Sequence, residues 1–299
     1  ERHMAGTVHL LAHMLQSFAA RDRYGRDIMP HGLGRALEEI MAQFPVYRTY
    51  ITGAPVAQLD REIIQDAARR ALENYPGIEY EIRFILKYLL LDLDSGSESE
   101  AAAAVRFVMR FQQFTGPLMA KGFEDTALYI YNRLLGQNEV GSNPDLFGVS
   151  LERFHSYNRE RLVTFPHSMN ATATHDTKRG EDARARLNVL SEIPREWARN
   201  ITLWSRRTRA WRIPTATMRI DPNDEYAFYQ TLVGSFPCAQ EEIPAFAQRM
   251  NEYVVKALRE AKVHTAWIKP DAAYEKCCTD FITSILDPKR GRRFMEAFG

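Results

Sequence analysis

The chain has 299 residues, which suits one or two domains at about 150 residues each. Apolar residues make up 45% and charged residues 26%, the mix of an ordinary globular protein, so disordered, collagen-like and disulfide-scaffold classes are excluded. With 39 basic against 38 acidic side chains the net charge is +1; the basic excess of a dedicated nucleic-acid binder is missing, and a neutral partner is expected.

Apolar spacing of three and four dominates along the chain and predicts helices. The first runs through Val8, Leu11, Met14 and Phe18, with His13 at its apolar edge. A second stripe, Leu33-Ala36-Leu37-Ile40-Phe44, is followed by a third from Ala57 to Tyr75 through Leu59, Ile63, Ile64, Ala67, Ala71 and Leu72. Ile78–Asp92 and Glu98–Phe114 come next, split by the polar linker Ser95-Gly96-Ser97. Further helices are predicted over Glu124–Leu135, Glu181–Leu190, Pro194–Arg209, Asp224–Ser235, Ile243–Ala261 and Ala272–Leu286. Pro194 and Pro244 sit near helix starts, where a missing N–H costs little. Strand candidates are few: the alternating, β-branched and aromatic run Val46-Tyr47-Arg48-Thr49-Tyr50-Ile51, and Asn170-Ala171-Thr172-Ala173-Thr174. Two short strands cannot make a sheet of their own, so they read as staves of a larger sheet or barrel.

Several candidate sites compete with plainer accounts. His9 and His13 lie one helical turn apart, as metal ligands on one face would. The zinc-protease pattern needs a glutamate directly after the first histidine, and that position is Leu10. A partly buried helical pair is the expected outcome, with no metal. Gly32-Leu33-Gly34 lacks the third glycine of a dinucleotide loop. Trp204 to Arg212 mixes four arginines with two indoles and could stack on a nucleic-acid strand, but on a helix such arginines usually form a solvated face over tryptophan. Cys238, Cys277 and Cys278 are odd in number and hold no C-x-x-C, which points to a reducing, cytoplasmic compartment. The longest apolar runs fall far short of the ~20 residues that span a bilayer.

Two segments are denser in chemistry. In Lys121 to Tyr129, Gly122 would break a preceding turn, while Glu124 and Asp125 would suit a helix start. The loop Asn138-Glu139-Val140-Gly141-Ser142-Asn143-Pro144 carries polar groups suited to sugar hydroxyls. Thr174-His175-Asp176-Thr177-Lys178-Arg179-Gly180-Glu181-Asp182 then takes a short strand into a charged loop and a helix, the place where parallel barrels keep catalytic groups. Asp176 or Thr177 could instead be a helix N-cap, but a cap needs no His, Lys and Arg beside it.

These segments resemble the maltooligosyltrehalose synthases, a family of α-amylase-like glycoside hydrolases. The resemblance rests on Phe44 to Tyr50, Lys121 to Tyr129, Asn138-Glu139-Val140-Gly141, Thr172 to Asp182, Asn223-Asp224-Glu225-Tyr226 and Lys262 to Ile268, in family order over nearly the whole chain. It implies a mainly α chain: a helical insertion subdomain with a few short strands from an incomplete (β/α)8 barrel. Residues 1–165 would hold the insertion and a strand near 46–51, and residues 166–299 a strand at 170–175 followed by helices. It also implies an intramolecular transglycosylation that turns the reducing end of a maltooligosaccharide into a trehalose end without a cofactor. By motif, Asp176 would stabilise the transition state, His175 would donate to a hydroxyl of the same ring, and Lys178 and Arg179 would bind reducing-end sugars. The family's nucleophile, in an Arg-x-Asp strand block, and its acid/base glutamate belong ahead of the matched region and are not found there. A closing Tyr-Gln-Gly turn is not found either. The resemblance therefore implies a segment of a longer enzyme, inactive alone. A non-catalytic helical module binding oligosaccharide or protein is the alternative.

Overall fold

The computed structural model describes residues 4–93, 97–213, 215 and 218–298. Packing divides the chain into two compact units, Glu1–Gly122 and Phe123–Gly299. This boundary lies ahead of the 165/166 division drawn from the sequence, because one apolar core runs from Val8 to Phe114 and the next opens at Leu134. Regular structure among the described residues is helical, with an isolated bridge between Ala266 and Lys269. The linker positions Ser95 and Gly96 lie outside the described residues.

In the first unit, five helices span Ala5–Ala19, Pro30–Ala42, Gln58–Asn74, Glu79–Leu89 and Glu98–Met119. Their predicted stripes are the core. Leu11, Leu15, Leu33, Leu37, Ile40 and Ile64 are fully buried, and Phe18 stacks on Tyr88 with ring centroids 4.4 Å apart. Burial at positions 8, 11, 12, 15, 18 and 19 fixes the inner face of the first helix. His9 and His13 fall off that face and are exposed, not partly buried. Leu59 likewise falls opposite Ile64, Ala67 and Ala71 and is 68% exposed. Ser97 caps the fifth helix, its hydroxyl accepting from the Glu100 amide at 3.3 Å.

The segment 46–51 is not a strand. The chain bends at 46 and 47 and then lies against a helix with residues 48–51 exposed and buried in turn, and the side chain of Gln112 supplies bonds that a neighbouring strand would have made. The Gln112 amide oxygen accepts from the Ile51 N–H at 2.7 Å and from the Thr49 hydroxyl at 3.0 Å, while its nitrogen donates to the Ile51 carbonyl at 3.0 Å. Thr49, Ile51 and Gln112 are all buried. β-Branched residues thus mark a half-buried extended segment here, with one amide group in place of a ladder.

In the second unit, the main helices span Glu181–Val189, Pro194–Arg207, Pro222–Ser235, Ile243–Ala261 and Ala272–Leu286. Trp204 is a core residue 4% exposed, packed on Tyr229, Phe294 and Phe298, with its N–H donating to the Ala297 carbonyl at 3.2 Å, so it offers no stacking face to a nucleic-acid strand. Arg212 pairs with buried Glu225 at 3.1 Å. Gln230 is fully buried and clasps extended backbone as Gln112 does, donating to the Asn132 carbonyl at 2.7 Å and accepting from the Leu135 N–H at 2.8 Å.

Three more expectations change. Gly122 breaks nothing, since residues 120–127 form a π-helical stretch directly after Glu98–Met119. The helix expected to reach Leu135 ends at Ile130, where Asn138 donates its side-chain amide to the carbonyls of Leu128 and Tyr131. Residues 170–174 form no strand, for no partner strand stands beside them among the described residues. A helix not foreseen, Leu151–Thr164, follows the N-cap Ser150 and buries none of its residues.

Candidate functional site

Residues 174–177 form a tight turn with its own internal bonds. The Thr177 amide and hydroxyl both donate to the Thr174 carbonyl, at 3.2 and 2.7 Å, and the Asp176 amide donates to the Thr174 hydroxyl at 3.3 Å. His175 and Asp176 lie at its tip, their side chains 92% and 72% exposed, with imidazole nitrogen and carboxylate oxygen 3.4 Å apart. Neither Asp176 nor Thr177 caps the next helix. Its N-cap is Gly180.

The following two residues turn inward. The Lys178 side chain is 13% exposed, and its ammonium binds the Asp125 carboxylate and lies over the Tyr129 ring at 5.5 Å. The Arg179 guanidinium donates to the Tyr253 hydroxyl at 2.7 Å and to the Leu135 carbonyl at 3.3 Å. Beneath their backbone sits Glu139, 8% exposed. Its Oε1 accepts from the Lys178 N–H at 2.5 Å and the Val140 N–H at 3.0 Å, and its Oε2 from the Arg179 N–H at 3.1 Å. Glu124, also buried, accepts from the Gly141 N–H at 3.1 Å, where a φ of +74° suits glycine.

Other motif blocks join the same unit. Asn223 donates its side-chain amide to the Ile130 carbonyl at 2.8 Å, and Lys262 reaches the Thr126 hydroxyl. His264 lies 3.4 Å from the Asp221 carboxylate and 4.5 Å, ring to ring, from Tyr274. The Tyr274 hydroxyl donates to Asp224 at 2.6 Å. Burial pushes the Asp224 carboxyl above its ordinary range despite that bond, and burial likewise raises the Tyr129 phenol.

A cavity of about 290 Å³ opens beside this cluster. Lys178, Arg179, Thr231, Ser235, Arg249 and Tyr253 supply polar groups to its wall, and Leu187, Phe246 and Met250 supply apolar surface. Of the four residues expected at the site, Lys178 and Arg179 border this cavity, whereas His175 and Asp176 stand outside it on the turn. Tyr129, Tyr253 and the bridging role of Glu139 were not foreseen. Their contacts join residues 39 to 74 positions apart, which periodicity does not register. Among the described residues, no group of three His, Cys, Asp or Glu side chains could hold a metal ion, and no helix is long and apolar enough to cross a membrane.

No protein-family model matches the chain. It is 37% identical over 198 residues to a "Putative maltooligosyl trehalose synthase" of Mycobacterium tuberculosis, an alignment covering 65% of this chain and 25% of that protein. The crystal structure of a hypothetical maltooligosyl trehalose synthase from Sulfolobus tokodaii matches with a TM-score of 0.68 at 36% identity, over 89% of this chain and 31% of the other. The maltooligosyltrehalose synthase structure from Arthrobacter ramosus matches with a TM-score of 0.70 at 32% identity, with the same coverage of 89% and 31%. The chain thus spans about a quarter of the length of the curated relatives it matches.

Proposed function

We propose that this chain, which in sequence and fold corresponds to a segment of a maltooligosyltrehalose synthase, carries one carboxylate of that enzyme's reaction together with part of its sugar-binding wall. In the complete enzyme the terminal α-1,4 link of a maltooligosaccharide becomes an α,α-1,1 link. A carboxylate nucleophile and a general acid, outside the motifs found in this chain, form and resolve a glycosyl-enzyme, and the released glucose re-attacks through its own anomeric hydroxyl. Water must be kept out for that return to win over hydrolysis. Asp176 accepts hydrogen bonds from hydroxyls of the reacting ring and offsets the positive charge that develops in the oxocarbenium-like transition state, and His175 donates to the same ring.

The observation that supports this reading best is the contrast between Asp176 and its neighbours. Its side chain is 72% exposed and caps no helix, on a turn anchored from below by the buried Glu139. Lys178 and Arg179 are held in place by Asp125 and Tyr253. An ammonium carries three donors and a guanidinium five, so both keep donors for sugar hydroxyls. The cysteines at 238, 277 and 278 are free thiols, as suits a reducing cytoplasm.

Asp176→Asn in the full-length enzyme tests the assignment. Activity should fall by roughly a hundred-fold or more, the cost of removing a group that acts on transition-state charge, with the melting temperature unchanged. Undiminished activity would overturn the assignment and favour the helical binding module. The 299-residue chain alone should leave the reducing ends of maltopentaose intact, and their loss would show that it holds a complete site.

A further inference from the structure

Glu139 has no part in the chemistry above, yet it is among the most heavily bonded side chains of the unit. Both oxygens are taken up by main-chain N–H groups: Lys178 at 2.5 Å, Val140 at 3.0 Å and Arg179 at 3.1 Å. Its own N–H donates to the Ser142 hydroxyl at 3.1 Å, which closes the loop on which it sits. Three amide donors to one buried carboxylate are charge-assisted bonds, about twice as strong as neutral ones.

The partners lie two and three residues beyond Asp176. Thr177, directly before Lys178, is bonded twice to Thr174, so the turn that carries Asp176 is tied as one piece to the chain that Glu139 holds. The bonds between Thr174 and Thr177 set the shape of the turn but not its place. On the incoming side, Thr172 is tied to the helix Glu181–Val189 through Glu181 and Arg184. On the outgoing side, Glu139 makes the link to the Asn138–Gly141 loop, which Glu124 holds in turn.

We propose that Glu139 is a positioning residue for the reaction: through the Lys178 and Arg179 amides it fixes where the His175–Asp176 turn stands relative to the sugar. The inference rests on the reading of Asp176 as a reacting carboxylate. A misplacement of about 1 Å at such a group costs up to a hundred-fold in rate, without a matching loss of binding. Glu139→Gln keeps the volume and one acceptor oxygen but turns an NH2 group toward one of the amides.

The test compares Glu139→Gln, Glu139→Ala and Asp176→Asn in the full-length enzyme by steady-state kinetics, with amide hydrogen exchange on the two Glu139 variants. The Lys178 and Arg179 amides should lose protection while the Leu135 amide, held by Gln230, keeps it. kcat should fall about ten-fold in Glu139→Gln and further in Glu139→Ala, with KM within about two-fold. Lost protection with unchanged kcat would overturn the inference, leaving Glu139 a loop fastener. Reduced kcat with intact protection would overturn it too, since Glu139 would then act elsewhere. If Asp176→Asn remains active, the reading beneath it fails. If Asp176→Asn is inactive and Glu139→Gln is not, the positioning role alone fails.

Discussion

Carboxylates in residues 123–299 differ in how far their oxygens are engaged by the fold. Glu275, like Glu139, has both oxygens engaged: Arg259 donates to each of them, at 2.8 and 2.7 Å, and the Thr265 hydroxyl adds a bond at 2.6 Å. The Arg259 bond holds the Glu275 carboxyl below its ordinary value of 4.5, burial opposes that, and Thr265 lowers it further. The folded state therefore binds this proton less readily than the unfolded chain. Its contribution to stability is present above pH 4.5 and is lost as pH falls through the depressed folded value. Glu275→Gln should cost about 2 kcal/mol at neutral pH and flatten the acid limb of stability, read from urea unfolding at several pH values. An unchanged acid limb would remove Glu275 from the groups that govern it. Asp176 stands at the other extreme, its side chain 72% exposed, and only its motif singled it out as a candidate. Nothing in its spacing separated a reacting carboxylate from a helix cap, and it was the structure that gave the cap to Gly180.

Helices were legible wherever apolar residues recur at three and four, because that pattern is the condition for burying one face of a helix. The segment 46–51 misled for a related reason. Alternation and β-branching report a half-buried extended chain but not what satisfies its backbone, and here the answer lies 61 residues away in Gln112. Gln112→Ala would leave the Ile51 N–H and carbonyl and the Thr49 hydroxyl without their partner in a buried place. A loss of about 3 kcal/mol is expected from orphaning such groups, measured as a lower urea midpoint. A loss below about 0.5 kcal/mol, within the range of an ordinary surface substitution, would mean that water replaces the glutamine. Leu151–Thr164 escaped prediction because its stripe is short: Leu151, Phe154 and Tyr157 recur at three, but Asn158 and Arg161 take the next positions in step, and none of its residues is buried. The wall of the cavity was partly legible as motif blocks, but Tyr253 and the Glu139 bridge needed the fold to bring them together.

At the scale of the whole molecule, the stretch 146–169 leaves its large apolar side chains on the surface. Leu151 is 80% exposed, Phe154 53%, Leu162 68%, Phe165 68% and Met169 94%, more than isolated surface hydrophobes would give. The purified chain should therefore self-associate, with light scattering rising steeply with concentration, and the double substitution Phe154→Ser, Phe165→Ser should suppress it. Scattering unaffected by that substitution would place the sticky surface elsewhere. The same stretch has a meaning during synthesis. A polypeptide that presents such a surface as it leaves the ribosome is a client for chaperones that grip bare hydrophobic segments, and its yield in a cell depends on how long that surface waits for cover.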